Sequence, residues 1–539
     1  MTQQLINVGT VGNDGTGDTA RLAWQKGNSN FTDLYSQVTA AVLYTQGGTN
    51  SVSRTITSKL QETVSVKDFG AIGNGTADDT QAFVNAVAAS NSIYIPNGTY
   101  KITGTITTSS ADTFIGAGRS ATIIAPTGNF DVFSWTGSAT GGGIRSLYIN
   151  GSGMSGGNIV SMVGQTRWSM SDVTIAGGYN GVLIQDQNVA SLQNVWINGL
   201  TGVYGIKIYG STTASSNVCD LDNIQIGFAT NTISSPTGII VDSGVQTVDI
   251  RHVAIAKGYR GLAITNTLNY TNSPAFVTAF DLQAENTYDS CLYIDGGTAQ
   301  TENHFFNALY CGGSLSSAGV YLSDGVASAP SVQNVQIIGG QIGNNNQQGI
   351  YCAGSYVKVI GSHIFNNSKA GSASYPGVQV VGRAASFNRG FTMTGCLSGQ
   401  WVGYSSQLTS YGLQIDANCV AYSAVCNDFR LNVTGDYLDT AADSTSVILG
   451  NAEAATTGSK IPGPLRIAAG NAVPAGGSAS VALTGSTTAA LGVYFGSGVP
   501  TVSAAQGSLY LRTDGSSTST RAYINTNGTT GWTNVTTAT

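Results

Sequence analysis

From about Ile144 onward the chain alternates apolar and polar positions in short runs, and the runs recur every 22–29 residues. A polar residue, an apolar one, a variable one and another apolar one return at 172–175 (DVTI), 194–197 (NVWI), 223–226 (NIQI), 252–255 (HVAI) and 334–337 (NVQI). A second motif, usually opened by Gly, follows at 181–184 (GVLI), 205–208 (GIKI), 238–241 (GIIV), 261–264 (GLAI), 319–322 (GVYL) and 349–352 (GIYC). A third short strand precedes the first motif in most turns of the repeat, as at 245–250 and 357–360. Period-2 alternation in short runs bounded by turn residues predicts strands, and a fixed period of this length predicts an all-β solenoid with three strands per coil. About ten coils at ~4.8 Å per rung predict a body about 50 Å long.

Strand alternation assigns faces. In the first motif the outward column reads Thr174, Trp196, Gln225, Ala254, Asp281, Leu309, Gln336 and His363; in the second it reads Leu183, Lys207, Ile240, Ala263, Tyr293, Tyr321, Tyr351, Gln379 and Gln414. A turn column runs through Asp172, Asn194, Asn223, His252, Asn307 and Asn334, where stacked amides satisfy turn backbone and His252 takes a structural place.

Before the repeat, 64–107 joins a Gly-rich turn, a helix start at Asp78, Asp79 and Thr80 with Ala82, Phe83, Ala86 and Val87 on one face, and a strand ended by Pro96-Asn97-Gly98. This order closely resembles the entry cap of right-handed parallel β-helices of the pectate-lyase-like superfamily. Residues 6–38 predict a helix from about Thr19 capped by Asp18. With Asn7, Gly9, Asp14, Gly15, Gly17, Asp18, Arg21, Lys26, Asn28, Asn30 and Phe31, they resemble the short module that docks phage tail fibres and tailspikes to the virion. Residues 491–535 alternate around Asp-Gly and Asn-Gly turns and resemble a small β tip common on phage fibres, in which Trp532 is more often structural than sugar-binding. The expected organisation is a virion-attachment module at 1–38, a linker or stalk at 39–62, the cap and first coils at 63–126, the β-helix body at 127–450, a Gly/Ala/Ser/Thr-rich connector at 451–490 and a β tip at 491–539.

Composition narrows the function. A net charge of −6 with no basic stripe excludes nucleic acid as the natural partner. No apolar run reaches 18 residues, so no membrane insertion is expected, and the N-terminus lacks the pattern of a secretory signal, consistent with synthesis in a host cytoplasm. Seven scattered cysteines without CxxC spacing predict reduced, mostly buried thiols. With three histidines, no transition-metal site and no cofactor are expected.

The sharpest chemical signal is charge. No Lys or Arg occurs from Gly261 to Val357, yet Asp281, Glu285, Asp289, Asp295, Glu302 and Asp324 do. Carboxylates without cations favour general-acid chemistry, which makes Asp281, Glu285 and Glu302 candidate catalytic residues of a glycoside hydrolase. Asp281 and Glu285 would pair only if the chain turns between them. Tyr293, Tyr321 and Tyr351 form an outward aromatic column, and with Trp196 and His363 they are candidate substrate-binding residues. The alternatives are a solvated acidic face, a Ca²⁺ site at the acidic patch, or a tyrosine column at a subunit interface. A lyase would centre on His363 with Lys358 and Arg430. Gly153–Gly157 fits G-x-S-x-G by chance, lacking a strand–turn–helix context. The family resemblance implies a homotrimeric tailspike, a virion component that joins the phage tail or baseplate through its N-terminus and binds and cleaves a bacterial cell-surface polysaccharide. A fibre that grips glycan without cutting it is the reading from another class.

Overall fold

The computed structural model describes all residues except 1–3, 12–13, 40–42, 212–213, 269–272, 324, 326–330, 385–386, 400–408, 442, 453–478, 484–490 and 537–539. The central architecture is the expected right-handed parallel β-helix. One sheet stacks thirteen parallel strands, from Ile106–Thr108 to Gly435–Asp439, so the body is longer than the ten coils the repeat suggests. At ~4.8 Å per rung it extends about 58 Å. The other two faces belong to one 22-stranded sheet that folds around a corner. In the middle coils a single bent strand, such as Ala190–Asn198, supplies both of these faces. Further on they separate: the bent strand Val277–Glu285 pairs with Thr301–Asn307 on the first face and with Tyr310–Gly312 on the second. The thirteen-stranded sheet forms the third face.

The bend has a single cause. Asp172, Asn194, Asn223, His252, Asp281, Ala308, Gly339, Gly361, Gly395, Cys426 and Gly450 occupy this corner on successive rungs, all with φ between 52° and 67°. Asn, Asp, His and Gly tolerate this left-handed conformation best, which explains why the repeat carries them there. Side chains then stack along the corner: Asn194 Nδ2 donates to Asp172 (3.1 Å) and Asn223 Nδ2 to Asn194 (3.3 Å). The structure corrects this column at two points. Asn334 belongs to a different corner, where it donates to Asn303 (2.6 Å), and Asn307 lies within a first-face strand. It also moves Asp281 out of the outward column and into the corner, where Gln283 takes its place beside Ala254. Leu309, expected outward, is 1% exposed, and its neighbour Tyr310 is the outward residue. A left-handed residue resets the period-2 alternation, so a one- or two-residue error in locating it inverts every following assignment.

Inward positions fill the core rung by rung, as with Val195, Ile197, Ile206 and Ile208, all buried. Each such side chain contributes roughly 1.5–3 kcal/mol. The first coils use aromatic rings instead, with Phe114, Phe133, Trp135 and Trp168 in tilted or edge-on contact. The helix Thr80–Ala89 closes this end, and Phe83 meets Tyr100 edge-on at 5.6 Å. Asp78 accepts from the Thr80 N–H (3.0 Å), whereas Asp79 turns back to the Ile72 N–H (2.7 Å). Six of the seven thiols are buried and all are free.

The N-terminal segment forms an unbroken helix, Ala20–Thr39, with a loop tied onto it. Asp18 does not cap this helix; it accepts from the Asn7 N–H (2.8 Å) and from Lys26 Nζ (2.7 Å). Asp14 accepts the Thr10, Val11 and Thr16 N–H groups, and a Cβ at Gly9 would fall 2.8 Å from its Oδ1. Trp24, Phe31, Leu34 and Tyr35 remain exposed. Within the expected linker lie the paired strands Leu43–Tyr44 and Arg54–Thr55 and a short helix, Ile56–Leu60.

A second compact unit holds the described residues from Ala479 onward. Its five-stranded sheet starts with Ala479–Leu483, inside the expected connector, most of which lies outside the described residues. Trp532 donates to the Val502 carbonyl (2.8 Å) and meets Tyr494 and Tyr510 edge-on, so its indole serves packing.

Candidate functional site

The three carboxylates singled out by charge density lie apart. Asp281 stands at the corner between the first and second faces, Glu285 ends the same strand on the second face, and Glu302 is exposed one coil later, just ahead of the corner at Asn303 that leads into the first face. The turn between Asp281 and Glu285 does not fold the strand back, so no catalytic pair forms there. The neighbouring acids have partners: Asp289 binds Arg260 (2.6 Å) and Asp295 accepts the Tyr293 hydroxyl (2.8 Å), while Asp324 lies outside the described residues. Among the described residues no group of three or more His, Cys, Asp or Glu is arranged to hold a metal ion.

The tyrosine column is in register on the third face. Its rings lie flat on one another, Tyr293 on Tyr321 at 5.5 Å and Tyr321 on Tyr351 at 4.6 Å, with interplanar angles of 13° and 11°. The Arg260 guanidinium covers the Tyr293 ring at 3.4 Å. The faces that would hold sugar rings are therefore engaged along the stack. Burial, helped by Asp295, pushes the Tyr293 phenol well above its ordinary pKa, so it stays a donor to that carboxylate.

Trp196 (49% exposed) and Glu285 share the second face. With Gln225, Ala254 and Gln283 they line a shallow depression of about 270 Å³ whose floor is lowered by the small Ala254. His363 lies on the same face three rungs beyond Gln283, packed on Phe365 at 4.8 Å, with burial pushing its pKa down. Lys358 is on the first face, and Arg430 is clasped by Asp428 (2.7 Å), so the residues considered for a lyase are not assembled.

The first face presents a denser constellation that charge density along the chain did not reveal. Asp220 and Asp249 are in-register neighbours on adjacent rungs, and Asp222 is in register with Arg251. Stacking at ~4.8 Å puts the backbones of Asp220 and Asp249 one rung apart with both side chains outward. Arg251 reaches diagonally to Asp220 (3.5 Å), the corner residue His252 meets Asp222 through Nδ1 (3.1 Å), and Thr278 donates its hydroxyl to Asp249. Phe280, 51% exposed, follows Arg251 in the same column, and Asp281 follows His252 at the corner. Four carboxylates, a guanidinium, an imidazole with a 58% exposed side chain and an aromatic ring thus share one open strip of sheet and its corner. The detectable signal was the alternation DLD at 220–222 and DIR at 249–251, residues 29 apart in the chain but adjacent in space.

Comparison with known proteins agrees with the architecture. The family model described as rhamnogalacturonase A/epimerase, pectate lyase-like, matches residues 63–263. Mannuronan C5-epimerase AlgE1 of Azotobacter vinelandii is 28% identical over 256 residues, covering 43% of this chain and 17% of that protein. The pre-neck appendage protein of Bacillus phage B103 is 44% identical over 55 residues, 10% of this chain and 6% of that one. The chain spans less than a quarter of the length of the curated relatives it matches. Among solved structures, tailspike protein 3 of bacteriophage CBA120 superposes with a TM-score of 0.60 at 13% identity, covering 87% of this chain and 74% of that one. In fold the chain is a parallel β-helix protein, and its residues 63–263 are similar to the pectate lyase-like family model.

Proposed function

We propose that this protein is a phage tailspike that binds and depolymerises a bacterial surface polysaccharide, with its reacting groups on the first face. The carrying observation is the pair Asp220–Asp249, stacked in register on an open face with Asp222, Arg251 and His252 around it. Two carboxyl groups flanking a glycosidic bond suffice for its hydrolysis, one protonating the leaving oxygen and the other attacking carbon or activating water. Asp220, held by Arg251, is the acceptor or nucleophile. Asp249, which takes the Thr278 hydroxyl on Oδ1, is the proton donor. A one-rung separation is close to the ~5–5.5 Å that goes with retention of configuration. Phe280 offers its ring to the C–H face of a neighbouring sugar. The N-terminal module, with exposed Trp24, Phe31 and Tyr35, attaches the protein to the phage tail, and the chain works as a homotrimer.

A second reading is a lyase on the same strip. His252 is exposed and held by Asp222, and Arg251 beside it would offset the charge of a uronate while the imidazole removes the adjacent proton. Both readings are tested by incubating the purified protein with bacterial capsular and O-antigen polysaccharides while following chain length, new reducing ends and ultraviolet absorbance. Shorter chains with new reducing ends and no new absorbance support hydrolysis. Shorter chains with the absorbance of a new C=C conjugated to a carboxylate support the lyase, and tight binding without shortening would make this an adhesin.

A further inference from the structure

Three rungs before Asp222, the same outward column of the first face carries Arg145, through Ser171 and Gln193. Arg167 stands one rung beyond Arg145 at the leading corner, held out by a left-handed backbone (φ 57°). Both arginines are exposed, and neither has an ion-pair partner among the described residues. They border a depression of about 300 Å³ with Ser92, Thr113, Ser169 and Ser171. Gly142 lines its edge, where the backbone runs so close to the preceding rung that a Cβ would fall 2.9 Å from the Asp112 carbonyl. In a chain of net charge −6, two unpaired guanidiniums converging on a hydroxyl-lined hollow form a site for an anion.

We propose that this depression binds an acidic group borne by the glycan repeat, a carboxylate or a phosphodiester, and so sets which polysaccharide is accepted. The inference rests on the reading that the glycan runs along the first face. At ~4.8 Å per rung, Arg145 is about 14 Å from Asp222, so the acidic group lies a few sugars from the reacting bond. Arginine forks pair bidentately with such groups, and the hydroxyls supply further donors without competing charge.

The test is binding of the full-length protein to an array of bacterial glycans containing neutral, carboxylate-bearing and phosphate-bearing repeats, at low and high salt. Selective capture of acidic repeats, weakened by salt, is expected. The double variant Arg145→Ala/Arg167→Ala should lose about tenfold or more of that affinity, and Arg145→Lys/Arg167→Lys should lose less, both melting at the wild-type temperature. The carboxylate and phosphate arms distinguish the two sources of charge. Capture and cutting of neutral repeats alone, or unchanged affinity of the alanine variant for acidic ones, would overturn the inference while leaving the hydrolase reading intact. Capture of no glycan would sink both.

Discussion

The tyrosine ladder on the third face and the carboxylate cluster on the first are built by the same operation, the in-register stacking of like residues one rung apart. Their outcomes are opposite. Flat rings at 4.6–5.5 Å satisfy one another, and Arg260 covers the end. The stacked carboxylates of Asp220 and Asp249 repel, so each depends on a different polar neighbour, Arg251 for the first and the Thr278 hydroxyl for the second, and remains directed outward. In a solenoid, a self-complementary column is structure, whereas a self-repelling one needs a reason to exist, and chemistry on a bound ligand supplies it.

The largest effect expected from this contrast is on rate. Asp220→Asn and Asp249→Asn should each lower glycan cleavage by about 10²–10⁴-fold with melting temperature unchanged, while Tyr321→Phe cuts at nearly the wild-type rate. Next, Tyr321→Ala removes two stacked contacts and should cost about 1–3 kcal/mol of stability, read as a shifted denaturant midpoint, without altering cleavage below the transition. His252→Asn keeps a residue suited to the left-handed corner but removes the imidazole beside Asp222. Cleavage should fall about tenfold at constant stability, and an unchanged rate would return His252 to a purely structural role.

The smallest effect concerns a carboxyl that sits under the sheet rather than on it. Asp112 is 1% exposed, its Oδ1 has no hydrogen-bond partner, and burial raises its pKa to about 6. The folded state therefore holds that proton more tightly than the unfolded chain, whose carboxyl titrates near 3.8. The stabilisation is full below 3.8 and lost as pH rises through about 6. Asp112→Asn should accordingly melt higher than wild type at pH 8, and the difference should vanish towards pH 4, with cleavage unaffected throughout.

Much of the fold was legible because its rules are local. The Asn and Gly of the corner mark a left-handed backbone, alternation marks the faces, and the helix at Thr80–Ala89 marks the closed end. The register of Tyr293, Tyr321 and Tyr351 was legible too, but not the fact that a rung spacing near the ring-stacking distance turns their faces on one another. The carboxylate cluster was hidden for the complementary reason. Charge density along the chain weighs neighbours in sequence, which directed attention to Asp281, Glu285 and Glu302, which lie apart on the surface. The solenoid instead brings together Asp220 and Asp249, 29 positions apart. Phe280, apolar but outward, obscured the frame that would have placed Asp281 at the corner.

The most direct test of which column meets the substrate is the structure of the Asp249→Asn protein with an uncut oligosaccharide of the polysaccharide it binds. The chain is expected to lie along the first face, with the scissile bond at Asp220 and position 249 and a sugar against Phe280. A glycan seated over the Tyr293–Tyr351 ladder, or along Trp196 and Glu285 on the second face, would contradict it.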